Sequence, residues 1–249
     1  MNISGNTVLI TGGATGIGLS IAEEFVKSGN EVIICGRREE KLKEAKAKLP
    51  QIATRVCDVS SMKGREELFD WVISKFKNIN VLVNNAGVQR MIDFKKGIDE
   101  LARHENEVDI NFTSTIQLSA YFIPLFMQRK ESAIINISSG LAFIPLAMMP
   151  VYCATKAAVH SFSVSLRHQL KNTPVKVFEV IPPTVDTELD KGTRAQRNMA
   201  YRGIPPSDVA VATMKALASD EYECAVEQAK NLMEASRFNF AEQFGRMNH

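Results

Sequence analysis

The chain has 249 residues, of which 45% are hydrophobic and 23% are charged, as in ordinary globular proteins. Its 30 basic residues nearly balance 28 acidic ones, so the composition argues against a nucleic-acid-binding surface. The four cysteines show neither paired spacing nor a disulfide framework, which indicates a reducing compartment. The N-terminus lacks a signal-peptide pattern, and no apolar run is long enough to span a bilayer. We therefore expect a cytoplasmic protein.

A glycine-rich turn comes first in chain order, between a strand pattern and a helix pattern. The turn, TGGATGIG at residues 11–18, follows the apolar run at residues 8–10 and precedes apolar residues at helical spacing. Glycine lets the backbone approach a pyrophosphate closely, and free amides at a helix start favour its negative charge. The turn therefore predicts a dinucleotide site. Three residues separate Gly12 from Gly16, which differs from the usual G-x-G-x-x-G spacing.

Strand-like and helix-like patterns alternate along the rest of the chain. Apolar, β-rich runs cover residues 7–10, 31–35, 54–57, 81–83, 133–137 and 175–181. Helix-length patterns cover residues 17–28, 39–48, 61–77, 99–128, 151–171 and 207–218. This alternation predicts an α/β fold, a single domain over residues 1–249 with a doubly wound parallel sheet in a three-layer αβα Rossmann-type arrangement. Ligands of such sheets bind beyond the carboxyl ends of the strands.

The residues after the second strand bear on the choice between NAD and NADP. An acidic residue there typically binds the ribose hydroxyls of NAD, whereas arginine suits the 2′-phosphate of NADP. The chain has Gly36 at this position, followed by Arg37 and Arg38. This favours NADP(H) as the cofactor, with NAD(H) as the other candidate. The alternative is that the two arginines only cap a helix start or face solvent.

Tyr152 and Lys156 are four residues apart, so on a helix they share one face. An ammonium beside a phenol favours the ionised phenol and makes tyrosine usable as a general acid or base. Alone, the pair is weak evidence, because the same spacing is common on solvated helix faces. The glycine turn upstream strengthens it.

Together with the glycine turn, NNAG at residues 84–87, Asn111, Ser139, Tyr152 and Lys156 resemble, in type and order, the short-chain dehydrogenase/reductase family. The resemblance covers residues 5–190. It implies hydride transfer between a nicotinamide cofactor and a carbonyl or alcohol. Ser139 would polarise the substrate oxygen and Tyr152 would exchange its proton. Lys156 would lower the tyrosine pKa and hold the nicotinamide ribose, and the main chain of Asn111 would anchor a water. A surface amide is the alternative for Asn111.

A narrower resemblance is to the DltE-type short-chain oxidoreductases of Gram-positive bacteria. It rests on CGRRE at residues 35–39, VCDV at 56–59 and PPTVDT at 182–187. The family layout implies that the cofactor contacts Gly12, Thr15, Gly16, Ile17, Gly18, Arg37, Arg38, Asp58, Val59, Asn85, Ala86, Gly87, Tyr152, Lys156, Pro182, Val185 and Thr187. Asp58 has a plain alternative as a helix cap.

The stretch between serine and tyrosine is apolar and would form part of a substrate wall. We expect this pocket to be lined by Gln89, Leu141, Phe143, Met149, Pro183 and Leu189. An apolar wall suggests an apolar small-molecule ketone, aldehyde or alcohol, unless these residues pack in the core or against a second subunit. Residues 187–206 are expected to form a substrate lid, and the tail at 220–249 to hold a last edge strand and short helices.

Two further expectations concern partners and other function classes. The four histidines do not form a ligand cluster in sequence, so no metal is predicted. The family resemblance implies a homodimer or homotetramer. The competing function is a nucleotide-binding sensor or scaffold protein that keeps the fold with little or no turnover.

Overall fold

One seven-stranded sheet, parallel throughout, forms the centre of the computed structural model, which describes residues 1–102, 106–189 and 203–248. Its strands are β1 (Thr7–Thr11), β2 (Glu31–Gly36), β3 (Ala53–Val56), β4 (Ile79–Asn84), β5 (Ser132–Ile137), β6 (Val175–Ile181) and β7 (Glu223–Ala225). They lie in the order β3-β2-β1-β4-β5-β6-β7. The strand order reverses between β1 and β4, where open α/β sheets bind ligands. The predicted doubly wound α/β fold is confirmed.

Helices cover both faces of the sheet. They are α1 (Gly16–Lys27), α2 (Glu39–Lys48), α3 (Met62–Lys75), α4 (Ile98–Ala102), α5 (Ser114–Phe126), α6 (Pro150–Leu170), α7 (Pro206–Ser219), α8 (Gln228–Phe238) and α9 (Phe240–Asn248). In the described part of the chain, none is long and apolar enough to cross a membrane. The expected lid falls mostly on residues 190–202, which lie outside the described residues.

The prediction of one continuous helix over residues 99–128 was wrong. The described part contains the short α4 and, later, a π-helical turn at Asp109–Thr113 that leads into α5. The side chain of Asn106 accepts hydrogen bonds from the amides of Val108 and Asp109 at 3.0 and 3.3 Å. An asparagine that satisfies such amides marks a new helix start. The apolar spacing across this region does not reveal that start.

Two hydrophobic layers hold the sheet between the helices. Val8 and Ile10 of β1 pack on the α1 and α7 side, and Leu9 packs on the opposite side with Phe122 of α5. All three β1 residues are fully buried, as expected for a central parallel strand covered on both faces. The packing fixes the strand ends, and therefore the loops that follow them, along one edge.

Glu107 is an exception to the apolar packing. It is 2% exposed, and neither carboxyl oxygen has a hydrogen-bond partner among the described residues. Burial raises the pKa of Glu107 from 4.5 to about 7, against the opposing charge of Arg90. Its ionised form is therefore disfavoured in the folded protein, a cost that grows between pH 4.5 and 7 and is complete above pH 7.

Glu107→Gln is therefore expected to raise the free energy of unfolding at pH 8, by up to about 3 kcal/mol. Near pH 4 the change should be small, because the wild-type carboxyl is then protonated in both states. Chemical denaturation at the two pH values measures the difference. A variant less stable than wild type at pH 8 would show instead that the ionised carboxylate stabilises the fold.

Candidate active site

A cavity of about 800 Å³ runs along the carboxyl edge of the sheet. Most of the residues expected from the sequence line it, namely Gly12, Thr15, Gly16, Ile17, Arg37, Arg38, Asp58, Val59, Asn85, Ala86, Gly87, Gln89, Ser139, Leu141, Met149, Tyr152, Lys156, Pro182, Pro183, Val185, Thr187 and Leu189. Three expected residues, Gly18, Asn111 and Phe143, do not line this cleft. The structure thus brings together residues that are up to 177 positions apart in the sequence, from Gly12 to Leu189.

The glycine turn forms one end of the cleft. Gly12 and Gly16 have φ angles of +63° and +57°, a region in which side chains are strained. Gly18 lies beneath the turn, where an added Cβ would come within 2.5 Å of the Gly12 carbonyl oxygen and of Asn85 Nδ2. Asn85 Nδ2 donates to the carbonyls of Thr11 and Gly12 at 2.9 and 3.1 Å. The Asn85 side chain therefore stabilises the conformation of the glycine turn.

The start of α1 offers a place for a negatively charged group. Thr15 precedes the helix, and its side chain makes no capping hydrogen bond. The first-turn amides together with the helix dipole favour an anion there. Thr187 lies across from this turn, since its Cγ2 would be 3.0 Å from a Cβ on Gly16. A turn without room for side chains, facing such amides, fits the pyrophosphate of a dinucleotide.

Two arginines and an aspartate line the cleft beyond β2 and β3. Arg38 Nη1 pairs with Glu188 Oε2 at 2.8 Å, and its Nη2 donates to Thr15 Oγ1 at 3.4 Å. The Arg38 side chain makes no capping bond to α2. Asp58 Oδ1 accepts from the amide and hydroxyl of Ser60 at 2.9 and 2.8 Å. Asp58 lines the cleft and does not cap α3, because Ser61 is the N-cap of that helix and its Oγ accepts from the Gly64 amide at 3.2 Å.

Tyr152 and Lys156 lie on the first turns of α6, and each is 5% exposed. Lys156 Nζ donates to the Ile137 carbonyl at 2.8 Å and lies 5.8 Å from the centre of the Tyr152 ring. Burial lowers the pKa of Lys156 to about 8, and the negative charge of Glu179 opposes this effect. The lysine is therefore still mainly cationic at neutral pH, next to the phenol whose ionised form it favours.

Ser139 precedes a short 3₁₀ turn at Gly140–Ala142, and its Oγ accepts from the amide of Leu141 at 3.1 Å. The neighbouring Ser138 hydroxyl donates to the Val180 carbonyl of β6 at 3.4 Å. Both serines line the cleft. The two hydroxyls therefore make different hydrogen bonds, that of Ser138 to β6 and that of Ser139 to the 3₁₀ turn.

Asn111 lies in the π-helical turn and is 1% exposed, so it is not a surface amide. Its Oδ1 accepts from the Val88 amide at 2.8 Å, and its Nδ2 donates to the Val88 carbonyl at 2.9 Å. Nδ2 also donates to Thr155 Oγ1 at 3.1 Å. Asn111 therefore joins the loop after β4 to α6, the helix that carries Tyr152 and Lys156.

Phe143 is not in the expected substrate wall. It follows the 3₁₀ turn and packs against His160 of α6, with ring centres 4.7 Å apart. Of the apolar residues in this stretch, Leu141, Leu146 and Met149 line the cleft. Because the chain turns at Gly140–Ala142, Leu141 lines the cleft, whereas Phe143, two residues later, packs against α6.

The C-terminal helices contribute cleft residues that the sequence did not indicate. These are Gln228, Asn231, Leu232, Gln243, Arg246 and Met247. Met247 packs against a cluster that contains Met149 and Tyr152. Asn248 anchors the end of α9, because its Nδ2 donates to the Pro145 carbonyl at 3.1 Å and its Oδ1 accepts from the Ala147 amide. The tail therefore folds over the end of the cleft that holds Tyr152.

One signal for this arrangement was present in the sequence. Phe240, Phe244 and Met247 follow one another at helical spacing, which is typical of an amphipathic helix. The spacing shows that α9 has an apolar face. It does not show what that face covers.

Comparison with known proteins decides the family. The family model of the short chain dehydrogenases matches residues 6–198. The chain belongs to the short-chain dehydrogenase/reductase family. It is 48% identical over 248 residues to a Bacillus subtilis (strain 168) protein described as the uncharacterized oxidoreductase DltE, covering 100% of this chain and 98% of that one. The predicted DltE-type resemblance is confirmed.

Solved structures support the same fold. A short chain dehydrogenase from Burkholderia cenocepacia in complex with NADP has a TM-score of 0.84 and 25% identity, with 99% of both chains covered. A short-chain dehydrogenase/reductase from Burkholderia phymatum in complex with NAD also has a TM-score of 0.84, with 22% identity and coverage of 100% and 97%. This short-chain dehydrogenase/reductase is an oxidoreductase that acts with NAD(P) on a small molecule.

Proposed function

We propose that this short-chain dehydrogenase/reductase prefers NADP(H) and interconverts a carbonyl and an alcohol on an apolar small molecule, with Tyr152 as the general acid and base. The observation that carries the proposal is the single cleft itself. It has Ser139, Tyr152 and Lys156 towards one end and the glycine turn with Arg37 and Arg38 towards the other.

NADP(H), when bound, supplies or accepts the hydride. Side chains of the protein bind the substrate oxygen and transfer the proton. The Ser139 hydroxyl donates to the substrate oxygen, and Tyr152 gives a proton to that oxygen during reduction or removes one during oxidation. Lys156 remains cationic below a pKa of about 8 and stabilises the phenolate form of Tyr152. Asn111 holds α6 against the loop after β4, which keeps these groups in place.

The same cleft suggests how the phosphates would be bound. Gly12 and Gly16 keep the turn free of side chains, and Gly18 and Asn85 support it from below. The nicotinamide end would contact Thr187, which lies against Gly16. Each contact is consistent with the cofactor residues expected from the sequence.

The preference for NADP(H) rests on the residues beyond β2. Gly36 leaves the usual place of a ribose-binding acid without a carboxylate, and Arg37 and Arg38 line the cleft beside it. Arg38 already faces a carboxylate, Glu188, at 2.8 Å. Both partners are about half exposed, so this pair is weak and a phosphate can compete for the guanidinium.

Arg37→Ala and Arg38→Ala test this preference through titrations with NADPH and NADH, followed by nicotinamide fluorescence. Each is expected to weaken NADPH binding by about 10-fold or more, the loss of a charge-assisted hydrogen bond, and NADH binding by less than about threefold. Arg55→Ala is the matched control, because Arg55 lies over the Trp71 ring and does not line the cleft. Equal weakening of both cofactors would contradict the phosphate contact.

The substrate proposal rests on the wall near Tyr152. Leu141, Leu146 and Met149 form it, and Met247 of α9 closes it from the tail. An apolar enclosure favours an apolar ketone, aldehyde or alcohol over a sugar phosphate, because burial of apolar surface drives its binding.

We also propose a cytoplasmic homodimer or homotetramer built on α5 and α6. The four cysteines are buried free thiols, consistent with a reducing compartment. Val164 of α6 is 43% exposed and Met127, just after α5, is 50% exposed, consistent with a contact surface at these helices.

A further inference from the structure

Glu179 is a buried carboxylate in the interior of the sheet. It lies in β6, is 0% exposed, and accepts a hydrogen bond from His160 Nδ1 through Oε2 at 2.8 Å. Its other oxygen, Oε1, is buried without a hydrogen-bond partner among the described residues. A carboxylate placed this way is costly unless a neighbouring positive charge compensates it.

The fold places this carboxylate close to the lysine of the cleft. Lys156 Nζ donates to the Ile137 carbonyl of β5, and in the sheet Ile137 pairs with Val180, the residue after Glu179. His160 is one helical turn after Lys156 on α6, and its Nδ1 holds Glu179. Both lysine and carboxylate therefore lie under the same stretch of α6.

The other charges nearby are already paired. Among the described residues, the titratable or charged groups on the elements packed around Lys156 and Glu179 include Tyr152, His160 and Arg167 of α6 and Glu223 of β7, whose carboxylate lies within 4.8 Å of Glu179 and His160. Arg167 Nη1 pairs with Glu223 Oε1 at 3.3 Å, and its remaining donors bind the Val177 and Tyr222 carbonyls. Of the two carboxylates here, Glu223 is held by the guanidinium of Arg167, whereas Glu179 is held by the imidazole of His160 and keeps one oxygen without a partner among the described residues. Burial lowers the pKa of Lys156, and Glu179 is the charge that raises it.

We propose that Glu179, held in place by His160, is a positioning residue that stabilises the positive charge of Lys156. The inference rests on the role proposed above for Lys156, because the lysine must be charged to favour the ionised form of Tyr152. Glu179 does not line the cleft, so it is not placed to contact substrate or cofactor. His160 is the link between this buried pair and the surface, since its side chain is 30% exposed.

The first test measures the charge of Lys156 directly, without turnover. Protein labelled with ¹³C at lysine Cε is titrated by NMR, and the Lys156 signal is assigned with Lys156→Arg. In Glu179→Gln the Lys156 pKa is expected to fall by about one unit, the size of effect expected from removal of a nearby opposite charge. Glu223→Gln is the matched control, because Glu223 is bound by Arg167, and should leave the Lys156 pKa unchanged.

The second test measures carbonyl reduction with NADPH as a function of pH. In Glu179→Gln the alkaline loss of activity should move to lower pH by the same shift, and kcat at pH 8 should fall about fivefold with little change in KM. Glu179→Asp keeps the carboxylate but shortens the side chain by one methylene, so both values should fall between those of wild type and Glu179→Gln. If Glu179→Gln does not fold, the NMR titration is made on Glu179→Asp. The Lys156 pKa should then fall by less than the one unit expected for Glu179→Gln.

An unchanged Lys156 pKa in the folded Glu179 variants would overturn the inference, whatever their activity. That outcome is distinct from a failure of the proposed function. If wild type and Tyr152→Phe were equally active, the proposed acid-base role of Tyr152 would be wrong. The NMR titration would still show whether Glu179 stabilises the protonated form of Lys156.

Discussion

Tyr152→Phe is expected to lower kcat for carbonyl reduction about 10³-fold, within the range that a positioned general acid contributes. The phenyl ring keeps the packing of Tyr152 against Leu146, Met149 and Met247, so the fold and the cleft should remain intact. Affinity for NADPH should change by less than about fivefold, since the variant loses at most one neutral hydrogen bond. Steady-state kinetics at saturating NADPH and fluorescence titration separate the two effects.

Tyr121→Phe is the matched control for this variant. Tyr121 lies on α5, its hydroxyl donates to Glu66 at 3.3 Å, and it does not line the cleft. Its removal should leave kcat unchanged. A Tyr152→Phe enzyme that retained more than about a tenth of the wild-type kcat would contradict the acid-base role.

Gly18→Ala is expected to have the largest effect on cofactor binding. The added Cβ would come within 2.5 Å of the Gly12 carbonyl oxygen and Asn85 Nδ2, and the first of these is backbone that can move only with the turn. The turn would then lose the shape that the pyrophosphate requires. We expect NADPH affinity to fall about 100-fold and stability to fall by about 1–3 kcal/mol, the usual cost of overpacking. Fluorescence titration and thermal unfolding measure the two.

Gly29→Ala is a useful comparison, because it separates stability from cofactor binding. Gly29 has a φ of +77° but open space where the Cβ of an alanine would lie, so alanine there costs about 1 kcal/mol of strain without touching the cleft. It should destabilise the protein and leave NADPH affinity unchanged. If Gly18→Ala bound NADPH like wild type, the glycine turn would not form the pyrophosphate site.

The fold could be predicted because its signals are local. Each strand of the sheet centre is a short apolar run, as in Val8 to Ile10, and each is followed by a helix-length pattern. Alternation of this kind leaves few arrangements other than a parallel sheet. The break before α5 could not be predicted, because it depends on Asn106 satisfying two backbone amides, and a single asparagine does not reveal that contact.

The site could be predicted only where a residue's place follows directly from a strand end or a helix turn. Arg37 and Tyr152 are of this kind, and both line the cleft. Phe143, Met247 and Glu179 are not of this kind. The position of Phe143 depends on the turn after β5, that of Met247 on the docking of α9, and that of Glu179 on the register of β6 with its neighbours. Such contacts between distant parts of the chain leave no periodic signal in the sequence.

Hydride transfer from NADPH, with Tyr152 as the acid, can be followed with NADPH that carries deuterium at both hydrogen positions of the nicotinamide C4. The labelled cofactor is incubated with a series of apolar ketones and aldehydes, and the alcohols are analysed by mass spectrometry. We expect deuterium on the carbinol carbon with wild type, its loss in Tyr152→Phe, and a kcat/KM with NADPH about 10-fold or more above that with NADH. Tight NADPH binding without label transfer to any of these carbonyls would contradict the account and would fit a nucleotide-binding sensor or scaffold.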